Sequence, residues 1–176
     1  MTRWLVMPRG INVGKHNRVP MAELRSALSG AGFEDVVTIG QSGNIIVTRS
    51  GSEDHVIAAV QSVLGDAFGV TVPVVARQTD EVREILASNP LAEVATDGSK
   101  YLAIFLSAAL TPAEAAALES EDVSPEVVRI IGRTVFVWTP GGVKAMKVSH
   151  TALEKRFGGT ATARNWNTLE KIAAKF

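Results

Sequence analysis

The spacing of apolar residues changes several times along the first half of the chain, and each change predicts an element. Short apolar or β-branched runs predict strands at Arg3–Pro8, Val36–Ile39, Asn44–Arg49 and Val70–Arg77. The turn Gly40-Gln-Ser-Gly43 between the second and third runs indicates a hairpin.

Helical spacing appears between these runs. Pro20 suits a first helical turn, and apolar residues recur after it at Met21, Leu24 and Leu28. Ser52 is expected to cap a second helix, with an apolar stripe formed by Val56, Ile57, Val60, Val63, Leu64 and Phe68. The predicted order is therefore β-α-β-β-α-β.

The second half largely repeats this order after an acidic helix at about residues 80–87. Tyr101–Leu106 is predicted as a strand, and Thr111-Pro-Ala-Glu114 is a capping box with proline at the first helical position. Val127–Ile131 and Thr134–Trp138 form a predicted hairpin across Gly132-Arg133. Thr151-Ala-Leu-Glu154 starts another predicted helix, and the last helix carries Trp166, Leu169, Ile172, Ala173 and Phe176 on one face.

These elements predict an α+β protein with two ferredoxin-like subdomains of the β-α-β-β-α-β type and mostly antiparallel sheets. The predicted boundaries are an N-terminal subdomain at 1–77, a helical linker at 78–97 and a C-terminal α+β subdomain at 98–176. In a split β-α-β unit the loop after the first strand and the turn after the second emerge at one sheet edge. We therefore expect Arg9–Asn17 to lie beside Gln41–Asn44.

Composition and charge narrow the class of protein. Hydrophobic residues make up 46% of the 176 residues and charged residues 20%, which is typical of a globular protein. The absence of cysteine excludes disulfides and thiolate chemistry. Without a secretory pattern or a long apolar run, we expect a cytoplasmic protein that does not contact a membrane. The zero net charge disfavours nucleic acid as a partner.

The charges are unevenly distributed, and both candidate binding segments lie in basic regions. Residues 78–122 carry seven more acids than bases, whereas residues 123–176 carry six more bases than acids. The first 33 residues carry four more bases than acids. Ordinary charge segregation on a solvated surface explains this distribution equally well.

The first candidate segment is Arg9-Gly-Ile-Asn-Val-Gly-Lys-His-Asn17. It is not a phosphate loop, because the glycine spacing is one residue short and His16 replaces the magnesium-binding Ser or Thr. One interpretation is a looser anion cradle; the other is a long loop in which Asn12 and Asn17 bond their own backbone. With the neighbouring hairpin, the predicted ligand-binding residues are Arg9, Asn12, Lys15, Asn17, Ser42 and Asn44. The pattern indicates no metal site.

The second candidate segment is Thr162-Ala-Arg-Asn-Trp-Asn-Thr168, at the start of the last predicted helix. Arg164, Asn165 and Asn167 are predicted to contact the same ligand. The alternative is helix capping, by Asn167 together with Glu170 or by Asn165. Trp166 is in register with the apolar stripe of the helix, which favours a position in the core.

Several segments resemble one protein family in order and spacing. They are Arg9–Gly14, Val19-Pro-Met21, Gln41-Ser-Gly-Asn44 and Ala163–Thr168, and they resemble hallmark segments of the bacterial family called domain of unknown function 1697. The family usually has a tyrosine where this chain has Ile39-Gly40, and often a glycine at Lys15. The resemblance implies a two-part α+β fold related to ferredoxin-like units, and no activity.

The leading functional hypothesis is binding of a small anionic ligand, a nucleotide or phosphorylated metabolite. The alternatives are an enzyme of phosphoryl- or acyl-transfer type and a module that binds nucleic acid or protein through the basic C-terminal region. The sequence does not identify a cofactor or an oligomeric state.

Overall fold

The computed structural model describes all residues, 1–176, and contains eight strands and six α-helices. The first part of the chain forms β1 (Thr2–Pro8), α1 (Met21–Gly30), β2 (Glu34–Ile39), β3 (Asn44–Arg49), α2 (Glu53–Phe68), β4 (Val74–Gln78) and α3 (Thr79–Ser88). The second part forms β5 (Tyr101–Leu106), α4 (Pro112–Ser120), β6 (Val127–Ile131), β7 (Thr134–Trp138), a short 3-10 helix (Val143–Ala145), α5 (His150–Phe157), β8 (Ala161–Asn165) and α6 (Trp166–Ala173).

The strands form two separate four-stranded sheets with the same topology. The strand order is β2-β3-β1-β4 in the first sheet and β6-β7-β5-β8 in the second, and every pairing is antiparallel. In each sheet the first strand of the β-α-β-β-α-β unit lies between the third and the fourth. This confirms the predicted fold class, two ferredoxin-like α+β subdomains.

The chain divides into two compact units. The first contains Met1–Ile85 and Lys171–Phe176, and the second contains Leu86–Glu170. The sequence-based boundaries at residues 77 and 98 remain a prediction, because this division does not show which segments fold independently.

The core of the first unit lies between its sheet and helices α1 and α2. Trp4 and Val6 on β1 face the same side as Val47 on β3, since alternate residues of a strand share one face. The helical stripes predicted from sequence cover this face, with Leu24, Leu28, Val56, Val60 and Leu64 all fully buried. Each such leucine or valine stabilises the fold by roughly 1.5–3 kcal/mol.

The second unit has a corresponding core beneath α4 and α5. Ile104, Val135 and Val137 from the sheet pack there with Leu118 and Leu153 from the helices. The capping box at the start of α4 is present: Thr111 Oγ1 accepts from the Glu114 backbone N–H, and the Glu114 carboxylate accepts from the Thr111 N–H at 2.8 Å. These bonds from Thr111 lower the pKa of Glu114.

Two local predictions were wrong, and one strand was not predicted. Strand β4 begins at Val74, not at Val70, because Pro73 has no backbone N–H to donate to a ladder. Helix α5 begins at His150, one residue before the predicted start at Thr151, and its cap is Ser149. Ala161–Asn165 forms strand β8, which its mixed small and polar residues did not indicate. No helix is long and apolar enough to cross a membrane.

Candidate functional site

The loop between β1 and α1, residues 9–20, is fixed by the side chain of Asn12. Its amide Nδ2 donates to the carbonyl oxygens of Val19 at 2.8 Å and Gln41 at 2.9 Å, while its Oδ1 accepts from the Val19 N–H at 2.8 Å. The Asn12 backbone N–H also donates to the Asn17 carbonyl at 2.9 Å. This residue therefore closes the loop on itself and attaches it to the β2–β3 hairpin.

The bond to Gln41 shows that the first loop and the hairpin meet, as the topology predicted. A second contact supports this: a Cβ on Gly43 would collide with the Ile11 side chain, and Gly43 has a φ of +77°. Only glycine fits both the space and this backbone conformation. Asn44 is buried behind the turn and donates to the Ile39 carbonyl at 3.0 Å and to Ser42 Oγ at 3.3 Å.

The predicted binding residues of the first unit fall into two groups. Asn12, Asn17 and Asn44 bond backbone groups; Asn17 Nδ2 donates to the Gly10 carbonyl at 3.0 Å. Their side chains shape the loop and the turn, as the structural interpretation of the sequence holds. Lys15, Ser42 and the neighbouring Arg18, which the predicted set omits, are exposed, whereas Arg9 is half-buried. Arg18 lies in the same loop, three positions after Lys15, and this shared location is the signal that identifies it.

Exposed positive charge is concentrated in the part of this loop that points to solvent. Lys15 and Arg18 are both exposed, and no ion pair engages them. Four residues of the loop have positive φ: Gly10 (+75°), Asn12 (+54°), Gly14 (+59°) and Asn17 (+49°). Helix α1 starts at Met21 without a side-chain cap, so its first N–H groups add a small positive potential.

The second candidate segment consists of the end of β8 and the start of α6. Arg164 donates to Thr162 Oγ1 and to the Ala163 carbonyl, both at 2.8 Å. Burial lowers the pKa of Arg164 to about 10, so the guanidinium remains charged at neutral pH. Asn165 Oδ1 accepts from the Thr168 N–H at 2.9 Å and is thus the cap of α6. The cap predicted at Asn167 is wrong, because that residue lies inside the helix.

Asn167 is exposed and lies against Gly98, where a Cβ would collide with the Asn167 carboxamide oxygen. Trp166 is buried and stacks on Tyr101, with ring centroids 4.5 Å apart and planes 14° apart. This places Trp166 in the core, as its register in the helix indicated. A ligand role for Arg164, Asn165 and Asn167 remains a prediction.

Comparison with known proteins assigns the chain to a family. The family model described as protein of unknown function, DUF1697, matches residues 1–136. The chain belongs to this family. The match covers the first candidate segment and the hairpin, and it confirms the family resemblance; Ala163–Thr168, the last of the resembling segments, lies beyond the matched residues.

Solved structures contain a close match to the fold of this DUF1697 protein. A conserved bacterial protein from Streptococcus pneumoniae aligns with a TM-score of 0.73 and 25% sequence identity. The alignment covers 99% of this chain and 98% of the other. Among curated proteins, no sequence matches the chain significantly. The comparisons therefore identify the family and the fold, and neither names a reaction or a ligand.

Two cavities lie within the second unit of the DUF1697 protein. One, of about 90 Å³, is lined by residues that include Ser107, Phe157 and Gly159. It is smaller than the roughly 300–1,000 Å³ typical of small-molecule sites. The other, of about 480 Å³, lies between Ser88–Val94 and the strand residues Val127 and Arg129. No group of three or more His, Asp or Glu side chains is arranged to hold a metal ion.

Tyr101 is a buried residue whose hydroxyl has a strongly raised pKa. The residue is 1% exposed, and its hydroxyl makes no hydrogen bond of good geometry. Burial raises the pKa of Tyr101 to about 12, and the Leu91 backbone N–H offsets only part of this rise. Tyr101 therefore stays protonated at neutral pH and acts as a core residue.

We expect Tyr101 to titrate near pH 12 in the folded protein and near pH 10 after unfolding. Because the folded-state pKa is the higher one, its contribution to stability is complete below about pH 10 and is lost as the pH rises towards 12. The loss is on the order of 2–3 kcal/mol. Phenolate absorbance measures this directly, since the chain has one tyrosine. Tyr101→Phe should remove the absorbance change and reduce the alkaline loss of stability; a native midpoint near 10 would contradict the buried hydroxyl.

Proposed function

We propose that the protein binds a small anionic ligand, a nucleotide or a phosphorylated metabolite, on the first loop beside the Gln41–Asn44 turn. The observation that carries the proposal is the triple hydrogen bonding of Asn12, which fixes a loop whose cations remain exposed. A loop that is already ordered loses little conformational entropy when a ligand binds. Loops of this length between short elements are frequently functional.

The positive side chains dominate the expected affinity. A helix N-terminus contributes roughly 0.3–1 kcal/mol to binding of an exposed anion. A hydrogen bond from a charged donor contributes roughly 1.5–3 kcal/mol. Lys15 and Arg18 can each supply such bonds, and Gly10 and Gly14 have no side chains to cover the nearby backbone. Phosphate groups, which accept several bonds at once, fit this arrangement better than a single carboxylate.

The test uses ATP, inorganic pyrophosphate and adenosine as probes of thermal stability. At one hundred times its dissociation constant, a bound probe should stabilise the protein by about 2.7 kcal/mol. We expect ATP or pyrophosphate to stabilise the wild type and adenosine to have no effect. Lys15→Ala/Arg18→Ala should weaken binding by about tenfold or more, which calorimetry measures.

The matched control is Lys144→Ala/Lys155→Ala, which removes two exposed cations from the second unit. This control should bind the probe like the wild type. Equal weakening in both double variants would mean that net charge, not the first loop, controls binding. If neither phosphate probe stabilises the wild type, phosphate-bearing ligands are excluded and the proposal fails.

A further inference from the structure

The larger cavity of the second unit has the volume of a ligand site. At about 480 Å³ it falls within the roughly 300–1,000 Å³ typical of small-molecule sites. Its lining combines apolar side chains with two opposite charges. The apolar residues include Leu91, Val94 and Val127, and the charged ones are Glu93 and Arg129. Val94 is 43% exposed, so apolar surface is open to a ligand here.

Hydrogen bonds hold the walls of this cavity in place. The Ala92 N–H donates to the Asn89 carbonyl at 3.2 Å, and the Val94 N–H donates to the Leu91 carbonyl at 3.1 Å. On β6, the Arg129 guanidinium donates to the carbonyl of the preceding residue at 2.8 Å, which leaves most of its N–H groups for a ligand. The site is therefore formed before a ligand binds, which lowers the entropy cost of binding.

The two charges of the cavity identify the class of ligand. Glu93 and Arg129 are both exposed, and neither forms an ion pair with the other or with a third residue. A ligand that is only an anion would be repelled by Glu93, and one that is only a cation would be repelled by Arg129. A zwitterion with an ammonium group and a carboxylate matches both charges.

Asn89 supplies a third polar group. It lines the cavity, and its carboxamide Oδ1 is shielded from solvent without accepting a hydrogen bond. An unpaired buried amide oxygen is unfavourable. Because the χ2 torsion of asparagine has broad minima, the carboxamide can turn to accept from an N–H group in the cavity. An ammonium group, an internal amide N–H, a carboxylate and apolar side groups are together the features of an apolar dipeptide.

We propose that this cavity binds short apolar peptides by both free ends, with a dipeptide as the smallest ligand that supplies all three polar groups. Arg129 binds the carboxylate and Glu93 binds the ammonium group. Asn89 accepts from the internal amide N–H, and the apolar lining contacts the side chains of the peptide. The ligand must be short, because each added residue moves the termini of an extended chain apart by about 3.3–3.6 Å. The first loop takes no part in this site.

Three related peptides test the proposal by isothermal titration calorimetry. They are leucyl-leucine, N-acetyl-leucyl-leucine, which lacks the ammonium group, and leucyl-leucinamide, which lacks the carboxylate. We expect leucyl-leucine to bind the wild type, and each blocked peptide to bind about tenfold more weakly or worse. Arg129→Gln should remove the preference for carboxylate over carboxamide and keep the preference for the free amine. Glu93→Gln should do the reverse. Shifts of the Leu91, Val94 and Val127 amide signals in NMR spectra should locate the bound peptide in the cavity.

The matched control is Glu121→Gln/Lys155→Gln, which neutralises an exposed acid and an exposed base of the second unit that do not line the cavity. This control should keep both preferences, and so should Lys15→Ala/Arg18→Ala. The proposal is overturned if leucyl-leucine does not bind, or if the blocked peptides bind as tightly as leucyl-leucine. It is also overturned if either cavity variant keeps both preferences. Equal affinity for free leucine would overturn the choice of a peptide, because the internal amide would then contribute nothing.

Discussion

Replacing Glu53 and Glu81 together with glutamine should lower the free energy of unfolding of the first unit by roughly 3–5 kcal/mol. Both carboxylates form ion pairs with Arg77, whose side chain is completely buried at the end of β4. Its Nε lies 3.1 Å from Glu81 Oε1 and its Nη1 lies 3.7 Å from Glu53 Oε1. Glu53→Gln/Glu81→Gln removes this compensation and leaves the cation in a low-dielectric environment.

A third substitution, Arg77→Met, tests this prediction more stringently. Adding Arg77→Met to the double variant should recover part of the lost stability, because an unbranched apolar side chain is buried without a charge penalty. Arg77→Met in the wild-type background should instead be destabilising, since it removes the cation that both carboxylates pair with. The sign of the effect of one substitution therefore reverses with its background.

Urea denaturation of the four variants measures this cycle. Asp54→Asn/Glu84→Gln is the matched control, because it neutralises exposed acids on the same two helices, and it should change stability by less than about 1 kcal/mol. If Arg77→Met is equally destabilising in both backgrounds, then these two carboxylates do not compensate the buried guanidinium.

Arg77 also shows where sequence reasoning reaches its limit. The β-branched run predicted the strand around Arg77, but the partners of Arg77 are on α2 and α3. Burial of the guanidinium depends on how these helices pack against β4. This packing cannot be inferred from the local spacing of residues. The predictions that succeeded used local signals, such as Ser52 as an N-cap and the Thr111 capping box, in which all partners lie within one helical turn.

Strand β8 and the first loop show the same distinction. The residues Ala161–Asn165 have little intrinsic strand preference, and they become a strand because β5 offers a partner across residues 102–106. The position of the first loop beside the hairpin was predictable from topology alone. The use of the Asn12 amide was not, because one of its partners, the Gln41 carbonyl, is 29 positions away in the chain. A polar residue in a loop can bind a ligand or hold the loop, and only the tertiary contacts distinguish the two.

The second large effect is expected at Glu126, a buried carboxylate just before β6. It is 7% exposed; its Oε1 accepts from the Lys147 backbone N–H, and its Oε2 accepts from the Val148 N–H at 2.9 Å. These bonds attach the segment before α5 to the start of β6. Glu126→Ala leaves two inward N–H groups without an acceptor and should destabilise the second unit by roughly 3–5 kcal/mol, measured by urea denaturation.

Glutamine at this position distinguishes the contributions of the two hydrogen bonds to stability. Glu126→Gln keeps one carbonyl oxygen but presents an NH₂ group to the other N–H, so about half of the loss, roughly 1.5–2.5 kcal/mol, should appear. Glu121→Gln is the control, because that carboxylate pairs with Arg156 at the surface and should change stability by about 1 kcal/mol or less. Hydrogen exchange at Lys147 and Val148 reports the same contact locally. Because both amides depend on one carboxylate, they should lose protection together in Glu126→Ala, and unchanged protection would mean that other contacts hold this segment.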